Sequence, residues 1–291
     1  KELEKIESNL REHPFPPQLV VENTSYCNLW CIHCSHREMT RKHMHMERGL
    51  WDKIVEEIGS EMPDCEVWPT FYGEALILKQ ELWKRLDYAE EKGCVNLVLN
   101  SNGTLLDRWN NIENILNSPL KRFILSLDGA SKETFEHIRA NAKYEKVYRA
   151  VEELCTLREQ RNQIYPVISV QFSVMKENAH EVEGFRRHWG QFGAEVKIRP
   201  MLEWANVGTV TTNTIKHGTE FRIACPWGNN TMAIHADGTV VACAIDYDAS
   251  LKVATVRDVT IKEAWEKLGQ ELRCPHREHR NSGTPHPPFP S

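Results

Sequence analysis

At 291 residues with 41% hydrophobic side chains, the chain is long enough for one large domain, or for one plus a smaller module. A net charge of −5 gives it no general affinity for nucleic acid, no apolar run is long enough to cross a bilayer, and the charged start Lys1-Glu2-Leu3-Glu4-Lys5 lacks the apolar centre of an export signal. Nine cysteines, an odd number in a large chain, point to metal binding in a reducing cytoplasm rather than to disulfides.

Residues 1–18 read as a short helix and a Pro-rich stretch, Pro14-Phe15-Pro16-Pro17. Leu19-Val20-Val21 is an apolar run of strand length. The segment Cys27-Asn28-Leu29-Trp30-Cys31-Ile32-His33-Cys34 follows at once. It therefore leaves the C-terminal end of a strand, where α/β barrels and open α/β sheets carry their sites. His36 to His45, with Arg37, Arg41 and Lys42, reads as the exposed remainder of that loop, phosphate binding being the weaker option. Leu50, Trp51, Ile54, Val55 and Ile58 recur at helical spacing, and Pro63 stops the helix. A second strand covers Glu66 to Phe71 and ends in Tyr72-Gly73-Glu74-Ala75. Leu82, Leu86 and Ala89 mark a helix closed by Gly93. The third strand, Val95 to Leu99, ends in Ser101-Asn102-Gly103-Thr104, and a helical region spans Leu106 to Leu116. The fourth strand, Phe123 to Leu127, ends in Asp128-Gly129. Helical segments follow, with Val147, Ala150, Val151, Leu154 and Leu157 on one face. Val167 to Val174 is the fifth strand, Val182, Phe185 and Trp189 mark a helix, and Val196 to Arg199 is the sixth strand.

Six strands alternating with helices imply a parallel sheet, two strands short of a closed eight-stranded barrel. The pattern changes after Pro200. Thr231 to His235 and Thr239 to Cys243 flank Ala236-Asp237-Gly238, a β-hairpin signal with Cys225 at its entrance and Cys243 at its exit. A helix from Ile261 to Leu272 follows, with Ala264, Trp265 and Leu268 inward. The resulting division is 1–18, 19–200 and 201–291.

The first three cysteines have the spacing C-x3-C-x2-C. A [4Fe–4S] cube needs a terminal ligand on each iron, so three thiols in one loop leave the fourth iron open. No further cysteine occurs before Cys65. An incomplete set suits a cluster that binds substrate or cofactor at its open iron. The competing readings are three reduced thiols or part of a zinc site. Zinc favours paired C-x2-C elements, and only Cys31 and Cys34 form one. Cys65, Cys94 and Cys155 fall in strand or helix patterns and read as buried structural thiols.

The cysteine spacing resembles the signature of radical S-adenosylmethionine (SAM) enzymes. That resemblance implies a [4Fe–4S] cluster on Cys27, Cys31 and Cys34. It further implies SAM bound at the open iron, reductive cleavage to a 5′-deoxyadenosyl radical, and hydrogen abstraction from a substrate carbon. It also implies a partial (β/α)6 TIM-like barrel over about residues 19 to 200, and a flavodoxin- or ferredoxin-type reductant. An open cluster oxidises easily, so the expected setting is the cytoplasm of a cell with little oxygen.

Three motifs fit the resemblance. Tyr72-Gly73-Glu74 is similar to the family's G-G-E turn with Tyr in place of the first Gly. Gly73 would give clearance and Glu74 a charged acceptor for the SAM ammonium group. The competing reading is an ordinary strand-ending turn. Ser126 and Asp128 match an S-x-D-G pattern, with both side chains expected on one side of the strand. Arg139 would clamp the SAM carboxylate. The competing reading makes Asp128 a helix cap and leaves Arg139 on a solvated face. Asn102-Gly103 also occurs in the family, but its local reading is a tight turn with positive φ. His33 reads as packing, its backbone near adenine, and Arg199 either faces the cavity or caps the barrel.

The C-terminal stretch, with Cys225-Pro226-Trp227, the Asp-Gly hairpin and Cys243, resembles the SPASM/Twitch extension that holds auxiliary [4Fe–4S] clusters. The family's late C-x2-C pair is missing; only Cys274 remains. Two readings stand: a second cluster on Cys225, Cys243 and Cys274 with a His or exogenous fourth ligand, or a metal-free hairpin. The resemblance allows two substrate classes. With only residues 1–18 before the first strand, the expectation leans to a dehydrogenase of a small aminocyclitol or sugar. Modification of a ribosomal peptide with a separate leader-binding partner is the alternative. A non-enzymatic zinc or iron–sulfur binding module is the rival from another class, and the strand-end motifs argue against it.

Overall fold

The structure is a computed structural model that describes residues 13–201, 226–243 and 245–270. The expected N-terminal helix, Cys225 and Cys274 lie outside those residues. Strands β1 (Gln18–Val21), β2 (Glu66–Trp68), β3 (Asn96–Ser101), β4 (Leu120–Ser126), β5 (Val167–Val174) and β6 (Glu195–Pro200) pair in parallel, each with the next. Between them run α1 (Arg48–Glu61), α2 (Gln80–Glu91), α3 (Asn111–Leu116), α4 (Lys132–Ile138), α5 (Tyr144–Gln160) and α6 (Val182–Gly190). The helices bury the apolar stripes that their periodicity predicts. Leu50, Trp51, Ile54, Val55 and Ile58 of α1 join Leu19, Val67 and Leu97 of the strands in one core. Each such side chain contributes about 1.5–3 kcal/mol on burial.

Several boundaries differ from the sequence expectation for local reasons. β2 stops at Trp68 because Pro69 has no N–H to donate to a ladder. The helix expected over Leu106 to Leu116 begins only at Asn111. Trp109 and Asn110 before it have φ of 49° and 60°, a left-handed turn that asparagine tolerates. Gly93, with φ of 96°, follows α2 as expected.

The C-terminal hairpin joins the same sheet. After α7 (Pro226–Asn230), β7 (Thr231–Ile234) pairs in parallel with β1, Leu19 opposite Met232. β8 (Thr239–Val241) and β9 (Lys252–Thr255) then add antiparallel. The sheet order is β6-β5-β4-β3-β2-β1-β7-β8-β9, open at both ends. The sequence pattern set this hairpin apart as a separate module; the structure makes it an extension of the core sheet beyond β1. α8 (Ile261–Leu268) starts at a capping box between Thr260 and Glu263 and buries Ile261, Ala264, Trp265 and Leu268. The C-terminal ends of β1 to β6 thus share one rim.

Candidate active site

The loop that leaves β1 is tied down on three sides. Trp30 N–H and Ile32 N–H donate to Ala140 O (3.1 Å) and Ile138 O (3.0 Å), and Glu74 N–H donates to Tyr26 O (2.9 Å). Buried Arg85 of α2 holds its two flanks, donating to Asn23 Oδ1 at 2.7 Å and Met46 O at 2.8 Å. A Cβ on Gly73 would lie 2.0 Å from Thr24 O. The glycine is therefore needed for the loop itself to approach the turn after β2. Held this way, Cys27, Cys31 and Cys34 all line one cavity of about 200 Å³ at the sheet rim.

The same cavity is lined by Gly73, Glu74, Ser126 and Arg139, so four motifs read separately from the sequence meet at one place. Glu74 is buried and accepts from Leu76 N–H (3.1 Å), Ser101 Oγ–H (3.0 Å) and Asn102 N–H (2.7 Å). Burial pushes its carboxyl above the usual carboxylate range even against these donors. Asn102-Gly103 forms the expected turn, Gly103 having φ of 75°, but Asn102 does more. Its Nδ2 lies 3.9 Å from Cys27 Sγ and donates to Asn28 Oδ1 at 3.0 Å.

Asp128 departs from the expectation. β4 ends at Ser126, and Asp128 sits beyond it at φ of 58°, so strand alternation no longer relates the two side chains. Ser126 reaches the cavity, where its Oγ lies 3.2 Å from Asn100 Oδ1. Asp128 is fully buried behind the wall, where it pairs with Arg139 Nη2 and accepts from Ser173 N–H at 2.7 Å. Burial works against its charge, but Arg139, His33 and the Ser173 N–H outweigh that and hold its carboxyl below the usual range. It caps no helix; Ser131 caps α4, accepting from Thr134 N–H. Nor is Arg139 on a solvated face. It is 8% exposed, its Nη1 lies 3.7 Å from Cys31 Sγ, and its Nε is buried with no partner.

Arg199 of β6 faces the cavity rather than capping the barrel. Gln171 of β5, with its amide oxygen presented, accepts from Arg199 Nη2 at 2.9 Å and Nε at 3.0 Å. His33 lines the cavity with Nε2 3.5 Å from Asp128 Oδ2, and burial pulls its imidazole down to about 4. Gln171, Ser173, Asn100 and Asn178, which anchors the Asp128 carbonyl at 2.9 Å, escaped the sequence reading. For Gln171 and Ser173 the local signal was that polar residues alternate within apolar β5.

Burial, then the neighbouring Glu74, pushes the Cys27 thiol up to about 12; burial pushes Cys34 up to about 11 and raises Cys31. Such thiols bind metal only by losing their protons to it. Among the described residues no three His, Cys, Asp or Glu are gathered closely enough to hold a single ion. The ligands of a cube attach to three different irons and need not meet at one point. Three thiols in one cavity, an acceptor carboxylate and an orphaned buried guanidinium N–H fit a cluster and a zwitterionic cofactor together. Cys65 and Cys94 are buried and donate to Pro16 O and Val55 O, and Cys155 is buried in α5, as expected of structural thiols. Cys243 follows β8, and its expected partners Cys225 and Cys274 lie outside the described residues. No helix among the described residues is long and apolar enough to cross a membrane.

Comparison with known proteins gives relatives for both parts of the chain. A curated relative, mycofactocin maturase MftC of Mycolicibacterium smegmatis, is 24% identical over 199 residues, 66% of this chain; the chain spans 47% of that protein's length. The crystal structure of Streptococcus suis SuiB bound to precursor peptide SuiA superposes with a TM-score of 0.73 at 12% identity, covering 93% of this chain and 69% of that one. The crystal structure of BtrN in complex with AdoMet and 2-DOIA gives 0.61 at 17%, covering 93% and 90%. An iron–sulfur cluster-binding domain family, SPASM, matches residues 225–284. The radical SAM superfamily matches residues 21–185, more than half of the chain and the span that carries the cavity, so the chain belongs to the radical SAM superfamily and is of its SPASM type.

Proposed function

We propose that this chain is a radical SAM enzyme acting on a ribosomally made peptide. The carrying observation is the convergence of Cys27, Cys31, Cys34, Glu74 and Arg139 on one cavity. In this reading the three cysteines hold a [4Fe–4S] cluster, which together with SAM supplies hydrogen-abstracting radical chemistry when bound. Glu74 takes the SAM ammonium group as a charge-assisted acceptor. Arg139, whose Nε has no partner, takes the carboxylate. Asp128 and Gln171 are positioning residues: they fix the two guanidinium groups that face the cavity. Tyr72 and Phe71 close the same wall with apolar rings and help to exclude water. Residues 19–200 form the catalytic core and 201–291 the SPASM part, in a reducing cytoplasm.

A peptide substrate is supported by the precursor peptide bound to SuiB and by the maturase among the relatives. The small aminocyclitol or sugar remains the second reading, supported by BtrN in complex with 2-DOIA and by the 90% of BtrN that the match covers. Anaerobic reconstitution with iron and sulfide, followed by dithionite and SAM, tests the activity. The parent should release 5′-deoxyadenosine, and alanine at Cys27, Cys31 or Cys34 should abolish it while the fold is kept. Undiminished release in any of the three variants overturns the assignment. Deuterium transferred from a labelled peptide, rather than from a labelled aminocyclitol, into 5′-deoxyadenosine decides between the substrates.

A further inference from the structure

We propose that the basic hollow on the outer side of the cysteine loop is the docking surface for an acidic one-electron carrier protein of the flavodoxin kind; this rests on the functional reading above, which needs an outside electron. The hollow, about 320 Å³, is walled by Arg108, Lys143 and Lys146, with Trp109 and Asn28 at its edge and Thr104 in its wall. Trp109 is 42% exposed, and the ammonium of Lys79 sits 4.9 Å from its ring. Asp107 lies 3.2 Å from Lys146 and 3.9 Å from Arg108, and Glu136 lies 3.5 Å from Lys143. Arg108, Lys143, Lys146 and Lys79 stand against Asp107, Glu136 and Glu145, the last within electrostatic reach of Lys143, and leave the surface net positive on a chain whose total charge is −5. An acidic partner is steered to such a patch by its field.

What singles out an electron carrier is the path behind the hollow. Asn28 Nδ2 donates to Thr104 Oγ1 at 2.7 Å, and Thr104 Oγ1 donates to Asn102 Oδ1 at 2.6 Å. Asn102 Nδ2 in turn stands 3.9 Å from Cys27 Sγ. Asn28 is also covalently next to Cys27. A single layer of hydrogen-bonded side chains thus separates the surface from a sulfur that lines the cavity. Electron tunnelling falls steeply with distance, so a donor must dock where a cluster ligand comes nearest the surface. The exchange is one electron: the reduced carrier loses it, the cluster on Cys27 gains it, and no bond forms or breaks at the surface.

The test is Lys143→Glu/Lys146→Glu, with Lys143→Gln/Lys146→Gln as the milder variant. Lys143 is the N-cap of α5 and Lys146 lies in its first turn, where acidic side chains suit the helix dipole. The Glu pair also faces Glu136 and Asp107, so circular dichroism checks the fold, and the Gln pair, which adds no like charge, carries the test if the Glu pair is destabilised. Two quantities are measured on the reconstituted protein: affinity for oxidised flavodoxin by titration calorimetry, and SAM cleavage driven by reduced flavodoxin or by dithionite. Affinity and flavodoxin-driven cleavage should fall about tenfold at low salt for the Glu variant and less for the Gln variant, converging with the parent as salt rises. Dithionite-driven cleavage should not change. Unchanged flavodoxin affinity overturns the proposal, as does an equal loss with dithionite, which would mark the hollow as a substrate or folding surface. Failure of the parent itself to cleave SAM with dithionite would instead overturn the functional reading, while the calorimetric result still decides docking.

Discussion

Glu74 concentrates what single residues contribute here. Its carboxylate closes the turn after β2 by accepting from Leu76 and Ser101 on one oxygen and from Asn102 on the other. Buried and still ringed by donors, it also lines the cavity. Glu74→Gln removes the charge and turns an amide N–H toward donors that have nothing to accept it. SAM affinity should fall by about 1.5–3 kcal/mol, roughly ten- to a hundredfold, while cluster absorbance near ~400 nm is kept. Equilibrium binding to the reconstituted protein checks this, and unchanged affinity would make the turn purely structural. Residues of this kind were legible because each sits in a short motif at a strand end. Those acting across the sheet were not. Gln171 meets Arg199 across the β5–β6 pairing, and Asn178 meets the Asp128 carbonyl between the turns beyond β5 and β4, contacts distant in sequence. The inward direction of Asp128 depended on a left-handed backbone that alternation cannot foresee.

Among the elements, α4 governs delivery of Arg139, which follows its last residue. Its N-terminus is fastened by Glu181, from the turn before α6. The carboxylate accepts from Ala130 N–H at 2.6 Å, Ser131 N–H at 3.2 Å, Ser131 Oγ–H at 2.5 Å and Thr134 Oγ1–H at 2.7 Å. Partial burial opposes its charge, yet the serine, threonine and backbone donors outweigh it and hold the carboxyl below its ordinary value. A depressed folded value means stability that is present above the unfolded value of about 4.3 and is lost as pH falls through the folded one. Glu181→Gln should therefore cost about 1.5–3 kcal/mol at neutral pH, with the difference from the parent shrinking below about pH 4. Denaturant titrations at pH 7 and in acid measure it; an equal gap at both would show that charge has no part. At this scale the sequence did well on type and less well on extent. Apolar periodicity located the interiors of α1, α2, α5, α6 and α8, while Pro69 and the left-handed pair Trp109-Asn110 set ends that periodicity does not report.

At the scale of the whole molecule, the parallel pairing of β7 with β1 brings the SPASM part against the cysteine loop. No sequence pattern gave that register, since the paired strands stand more than two hundred residues apart. The join is charged as well as apolar. Arg41, expected on an exposed loop, pairs with buried Glu22 at 2.8 and 2.6 Å and donates to Tyr247 O at 2.6 Å, while Glu22 also accepts from Ala236 N–H at 3.0 Å. Asp248 takes the N–H and hydroxyl of Thr40 at 2.8 and 2.9 Å. Tyr72 of the cavity wall lies 6.3 Å from the Tyr247 ring, so the segment after Cys243 reaches the site itself. A second cluster on Cys225 and Cys243, with Cys274 as a third ligand, would supply an acceptor for the electron left on a substrate radical, turning hydrogen abstraction into a two-electron oxidation. Cys225→Ala/Cys243→Ala, reconstituted beside the parent, should lose about four irons and keep SAM cleavage, because the motif on Cys27, Cys31 and Cys34 is untouched. Equal iron in both proteins would make the SPASM part a metal-free cap and remove the electron acceptor that an oxidation requires.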